Sequence, residues 1–228
     1  MQPTTDSPLF SLLAGRAAGM LCHITSVPGS GPVGNLGDAR NFARWLSASG
    51  VRIWQVLPLN PTDPATGNSP YSSHSAFALN PILVDPGALE DEGLLLGQRE
   101  SGRTTSSPYA DYTKAIERSS RALEDAFGRF EKLSPSHPLR EDFDRFCSDA
   151  RWWLDDYCLY AVLKRENGNR SWTEWPAGLA SREPDDLERA RRALDRQIRL
   201  KAFCQFVLQR QLEALRALLG ELGILLFG

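Results

Sequence analysis

The order of apolar runs and amphipathic stretches in this 228-residue chain predicts an α/β protein whose strands lie parallel in one sheet. Two apolar runs near the start, Gly19-Met20-Leu21-Cys22-His23 and the stretch from Val51 to Leu59, are separated by one helical segment. A crossover that short makes the two strands parallel neighbours. A long helical middle follows, and Gly223 then opens a third apolar run, Ile224-Leu225-Leu226-Phe227. Strand, helix, strand, helical insertion, strand matches the opening of a TIM (β/α)8 barrel with a large insertion after its second strand. A whole barrel takes about 250 residues without insertions, so the three recognisable strands read as a partial barrel, strands one to three.

Each element has a local reason. The crossover helix takes Asp38 as its N-cap, places Phe42, Trp45 and Leu46 on one face and stops at Gly50. The segment from Pro86 to Ser107 is rich in Gly, Ser and Thr without periodicity and reads as an irregular excursion. Tyr112 to Leu133, bracketed by Pro108 and Pro135, and Leu139 to Glu166 both carry apolar stripes at helical spacing. From Pro184 to Leu222 the period is helical throughout, but one helix of that length would run on the order of 57 Å, so a break or bend is expected. The resulting division is a first βαβ unit with a site loop at 1–85, a mainly helical insertion at 86–183, and a helical return with the third strand at 184–228, where the chain reads as truncated.

Composition narrows the chemistry. With 42% hydrophobic and 24% charged residues the chain can bury a full core, and a net charge of −2 supplies no electropositive field for a nucleic-acid backbone. The basic cluster Arg189, Arg191, Arg192, Arg196, Arg199 and Lys201 is interleaved with Asp185, Asp186, Glu188 and Asp195 and reads as a solvated face. No apolar run approaches the ~20 residues of a membrane span, and the apolar patch from Leu9 to Met20 lacks a basic leader and a cleavage pattern, so a cytoplasmic protein is expected. Cys22, Cys147, Cys158 and Cys204 are widely spaced within apolar segments and read as reduced core thiols.

His23, His74 and His137 have no metal-ligand spacing, so no metal is expected, and Gly29-Ser30-Gly31 lacks a dinucleotide fingerprint, so no cofactor is expected. Asp155 and Asp156, adjacent on a helix, point in different directions and read as surface carboxylates. No catalytic residue is assigned within the chain.

The loop after Pro58 is the candidate site. Ser69 and Tyr71 flank Pro70, which restrains the backbone and presents a hydroxyl and an aromatic ring at fixed positions. Sugars have apolar C–H faces and hydroxyl edges, which such a pair can match. The same residues also fit a plain loop in which Tyr71 packs and Ser69 caps a turn.

Several stretches together resemble the N-terminal signature of the amylomaltase or 4-α-glucanotransferase family. His23-Ile24-Thr25-Ser26-Val27-Pro28-Gly29 is similar to the family's histidine followed by T-S-L-P-G, and Gly34-Asn35-Leu36-Gly37-Asp38 to its G-x-G-D-L-G turn. Trp54 to Leu59 reproduces W-Q-V-L-P-L, Ser69-Pro70-Tyr71 and Ser75 to Pro81 match S-P-Y and S-A-F-A-x-N-P, and Trp153 to Tyr157 and Ser171 to Pro176 resemble W-L-D-D-Y and W-x-x-W-P. The resemblance implies that Ser69 and Tyr71 contact an α-1,4-glucan or maltooligosaccharide near the scissile bond, and that Asn80, Trp172 and Trp175 are architectural. It departs from the family at Asn68 and Ser72, where many relatives carry Asp and Gln, and at Asp63-Pro64-Ala65-Thr66, where a loop-tip aromatic is replaced.

The resemblance also implies a retaining transfer, whose two carboxyl groups stand ~5 Å apart. In the family the nucleophilic Asp, the acid/base Glu and a further Asp follow the third strand, so the expected partner of this chain is the missing C-terminal part of the barrel. The isolated chain is expected to bind without cleaving. The alternative is a non-catalytic glucan-binding or helical interaction protein derived from the same ancestor.

Overall fold

The computed structural model describes residues 16–29, 31–97 and 109–228. Most of the apolar patch read at Leu9 to Met20, and the end of the Pro86 to Ser107 excursion, lie outside these residues.

Three strands, β1 (Gly19–Leu21), β2 (Ile53–Gln55) and β3 (Leu225–Phe227), form one parallel sheet in the order β1-β2-β3. The register sets Met20, Trp54 and Leu226 in one row and Leu21, Gln55 and Phe227 in the next. Each strand is shorter than its apolar run. Past Val56, whose N–H still reaches the Phe227 carbonyl at 2.8 Å, Pro58 has no N–H to extend a ladder. Past Cys22 the chain tightens into a 3-10 turn at Ile24–Ser26.

The two faces of the sheet differ. Trp54 is fully buried, donates its indole N–H to the Cys22 carbonyl at 2.7 Å and meets Phe42 edge-on at 5.1 Å. In the neighbouring row Leu21 is 59% and Phe227 56% exposed.

The crossover helix α1 (Leu36–Ala48) begins one residue after Asn35, not at Asp38. Asn35 accepts from the N–H groups of Gly37 (2.8 Å) and Asp38 (3.1 Å), while the Asp38 carboxylate accepts from the Asn35 N–H at 3.1 Å. This is a reciprocal capping box in which Asp38 is the third helical residue. Leu36, Ala39, Ala43 and Leu46 are buried, whereas Trp45 stays half exposed, stacked on Phe42. Gly50, at φ 75°, supplies the expected stop.

Part of the expected irregular excursion is helical. Asp85 caps α2 (Pro86–Asp91) by accepting from the Gly87 N–H at 2.9 Å, and Pro86 occupies the first helical position, where its missing N–H costs nothing. The stretch from Leu139 to Glu166 is two helices, α4 (Pro138–Asp149) and α5 (Arg151–Glu166), following α3 (Tyr112–Phe130) and joined at Ala150. After the short α6 (Ala177–Ala180), the long period breaks at Leu194 (φ −115°, ψ 18°) into α7 (Pro184–Ala193) and α8 (Asp195–Glu221), as its length requires.

Helix α8 is the spine of the protein and packs on α1, α3, α4, α5 and β3. Its Phe203 and Phe206 join Phe127, Phe130 and Phe143 in an aromatic core, with ring centroids at 4.9 Å for Phe130–Phe203 and 5.6 Å for Phe143–Phe206. All four cysteines are free thiols, Cys158 and Cys204 buried and Cys22 and Cys147 partly so. Burial pushes the Cys204 and Cys147 thiols up to about 11, the state of unreactive core cysteines.

Candidate functional site

Beyond the C-terminal ends of β1 and β2 lies a cleft of about 100 Å³ whose polar wall includes His23, Ser26, Asn60, Thr62 and Asn68, with Pro70 at its rim. Sites that engulf a small molecule hold roughly 300–1,000 Å³, so this is a partial cavity. Strand ends in an α/β sheet are where such clefts form, because the loops there are free to vary while the sheet stays rigid.

The loop is built by short-range polar bonds. Asp63 caps a 3-10 turn (Pro64–Thr66), and Gly67 and Asn68 follow in left-handed conformations at φ 68° and 56°. Asparagine tolerates that region better than most side chains. Thr62 links the two ends of the loop, donating to the Asn68 side chain at 3.4 Å and accepting from the Asn80 side chain at 3.1 Å.

Of the plain reading of Ser69-Pro70-Tyr71, the structure has the turn and not the packing. The Ser69 hydroxyl accepts from the Tyr71 N–H at 3.4 Å, so it does brace a turn. Tyr71 does not pack: the residue is 74% exposed. Asn68 and Pro70 line the cleft, while Ser69 and Tyr71 lie just outside its lining.

Four anchors tie this loop to the helices. Gln205, 2% exposed on α8, grips the backbone of Leu79 twice, accepting from its N–H at 2.8 Å and donating to its carbonyl at 2.9 Å. Gln211 does the same for Asp85 at 2.8 and 3.1 Å. Lys164 on α5 pairs with Asp63 at 3.0 Å. His74 lies parallel to Tyr157, with centroids 6.1 Å apart, and beside Tyr160. The backbone N–H of Ala65 and then Lys164 hold the Asp63 carboxyl below its ordinary range. Burial, reinforced by Lys164 and Lys201, pulls the His74 imidazole below its own.

His23 is the cleft residue that sequence reasoning passed over. Its Nδ1 is buried without a hydrogen-bond partner among the described residues, and burial lowers the ring's pKa, so the imidazole is neutral at pH 7. The available signal was its place at the end of the first apolar run. Asn80 is 7% exposed, accepts from the Ile82 N–H at 3.3 Å and also lines the cleft. Trp175 is buried against Tyr160, but Trp172 is 53% exposed, so a structural role is visible only for the former. Asp155 and Asp156 are surface carboxylates paired with Arg151 and with Arg182 and Arg191. Within the basic cluster, Arg189, Arg191, Arg192 and Arg196 are each ion-paired. No group of metal-ligating side chains occurs among the described residues, and none of their helices is long and apolar enough to cross a membrane.

The fold is that of a helix-rich α/β protein with a polar cleft at the C-terminal end of a small parallel sheet. The profile of the 4-alpha-glucanotransferase family matches residues 22–228, and the chain belongs to that family. It is similar to the 4-alpha-glucanotransferase of Thermus thermophilus, 42% identical over 215 residues that make up 93% of this chain and 42% of that protein. It is also similar to that of Aquifex aeolicus, 40% identical over 93% of this chain and 42% of that one. Among solved structures, the amylomaltase from Streptococcus agalactiae in complex with acarbose superposes with a TM-score of 0.83 at 29% identity, over 93% of this chain and 42% of that one. The chain thus spans about 42% of the length of these relatives.

Proposed function

We propose that the chain is the N-terminal portion of a 4-α-glucanotransferase. It would contribute strands one to three of a partial TIM barrel, the helical insertion and one wall of a site for α-1,4-glucans or maltooligosaccharides. The observation that carries this reading is the cleft at the strand ends, walled by the Asn68 and Pro70 that bracket Ser69, in a chain of this family. Tyr71 offers an exposed ring for the apolar face of a glucose unit, and Ser69 fixes that ring by bracing the turn.

The family reaction, on this reading, is a retaining transfer. A carboxylate displaces the leaving glucan to form a glycosyl-enzyme, while a second carboxyl protonates the leaving oxygen. The same group then takes the proton of an acceptor glucan's hydroxyl as that oxygen attacks. Among the described residues no Asp or Glu lines the cleft. The chain therefore supplies shape and sugar contacts, and the carboxyl pair comes from the length of the relatives that it does not span. The free thiols fit a reducing, cytoplasmic compartment.

Incubation with maltotriose should give neither glucose nor longer maltooligosaccharides, and calorimetry should show saturable maltotriose binding that Tyr71→Ala weakens. Turnover above a vector-only control would overturn the assignment of the carboxyl pair to the rest of the enzyme. Absence of any maltotriose binding by the folded chain would overturn the glucan cleft.

A further inference from the structure

We propose that Phe77 and Trp152 form a second glucan platform, on the surface and outside the cleft, for an α-1,4-glucan chain. The ligand's identity rests on the glucan reading above; the site itself rests on geometry. Phe77 is 56% and Trp152 71% exposed, and their rings stand edge to face at 4.7 Å with planes 74° apart. Two large rings meeting at nearly a right angle make an open corner, in which one ring can lie under a pyranose C–H face while the other abuts the next sugar.

Both rings are set in place before any ligand arrives. Trp152 sits in the first turn of α5. Phe77 is backed by Trp153 at 6.2 Å, its N–H and that of Ala78 both donate to the Ser75 hydroxyl, and Gln205 grips the chain two residues further on. Little ordering is left to oppose binding. The Trp152 indole N–H donates to no described residue and is available to a sugar hydroxyl.

A separate protein partner fits this corner poorly. Two aromatic side chains offer at most roughly 500 Å², short of the ~800 Å² per partner of a stable interface. Arg151 and Asp155 border the patch, paired with each other and 81% and 56% exposed, a hydrated rim suited to a polyhydroxylated ligand. Phe77 also shares its loop with Tyr71, at most about 22 Å away along the chain. A long glucan can therefore meet cleft and platform together and gain from local concentration.

Affinity electrophoresis of the full 228-residue chain in gels containing amylopectin tests the proposal, with hydroxyethylcellulose gels as control. Amylopectin should retard the chain and cellulose should not. Trp152→Ala and Phe77→Ala should each raise the apparent Kd roughly threefold to tenfold, Trp152→Phe should keep most of the affinity, and thermal unfolding should verify each fold. Equal retardation of wild type and Trp152→Ala, no retardation of wild type, or equal retardation by cellulose would overturn the platform. So would light scattering that shows a wild-type dimer abolished by Trp152→Ala. Maltotriose binding separates the two sites: its loss with amylopectin retardation intact sinks the cleft alone, and the converse sinks the platform alone.

Discussion

The helical layer and the sheet of this protein are finished to different degrees. In the helical layer, Phe127, Phe130, Phe143, Phe203 and Phe206 close on one another with at most 5% exposure. The sheet has one face sealed by Trp54 under α1 and another that leaves Leu21 and Phe227 more than half open to water. A helix satisfies its own backbone and needs only a stripe of partners, whereas a parallel strand needs neighbours at both edges and cover on both faces. The stability of the chain should therefore reside in its helices, and its stickiness in its strands.

The largest effect that tests this contrast is Phe203→Ala. Removing a fully buried ring from the aromatic core should cost about 3–5 kcal/mol in denaturant unfolding. A cost below ~1 kcal/mol would mean that the helical layer is not the stable unit. Next is Gln205→Leu, which strands both backbone groups of Leu79. The expected loss is about 2 kcal/mol, and maltotriose binding should weaken with it because the loop loses its grip on α8. Full binding in the variant would show that the loop holds its shape without the helix.

The sheet makes the opposite prediction. Leu21→Ser with Phe227→Ser should leave unfolding nearly unchanged, within ~0.5 kcal/mol, yet lower dye binding and self-association in light-scattering chromatography, because both side chains stand on the open face. A wild-type chain that runs as a sharp monomer without dye binding would show that the open face is tolerated and would favour an independent glucan-binding role.

The smallest effects are two pH dependences of opposite sign. The His74 imidazole is depressed below its ordinary 6.5, so the folded state binds fewer protons there and stability falls as pH drops through 6.5 and below. His74→Phe, which keeps a ring against Tyr157, should flatten that loss in melting curves between pH 7 and 5. Asp38 is raised by burial to about 6, against 3.8 unfolded, so its ionisation erodes stability as pH rises through that window. Asp38→Asn should raise Tm slightly at pH 7.5 and have no such benefit below pH ~4.

Sequence periodicity located what local physics decides. That the helical period after Pro184 must break followed from its length, though the place of the break at Leu194 did not, and Gly50 ended α1 as glycine does. Asn35 and Asp38 are both good capping residues, and each takes part in the same box, so choosing between them needed the geometry. Ala150 joins two helices with near-helical dihedrals (φ −90°, ψ 0°) and no proline or glycine, leaving no mark in the pattern. Strand lengths were overestimated because an apolar run records burial, not pairing. The cleft was legible only as a loop. That Pro70 would reach its rim while the Tyr71 ring stays outside, and that His23 would share the wall, depends on contacts across the fold that no local pattern contains.

The paired glutamines of α8 act as a ruler. Gln205 with Leu79 and Gln211 with Asp85 are each separated by 126 positions, so the connecting segment keeps step with the helix residue for residue. The two grips lie about 9 Å apart along the helix axis, and the 3-10 turn at Pro81–Leu83 shortens the segment to that gauge. A single residue added or lost between Leu79 and Asp85 would leave one glutamine reaching for the wrong peptide. This stretch should tolerate side-chain exchange far better than any change in its length.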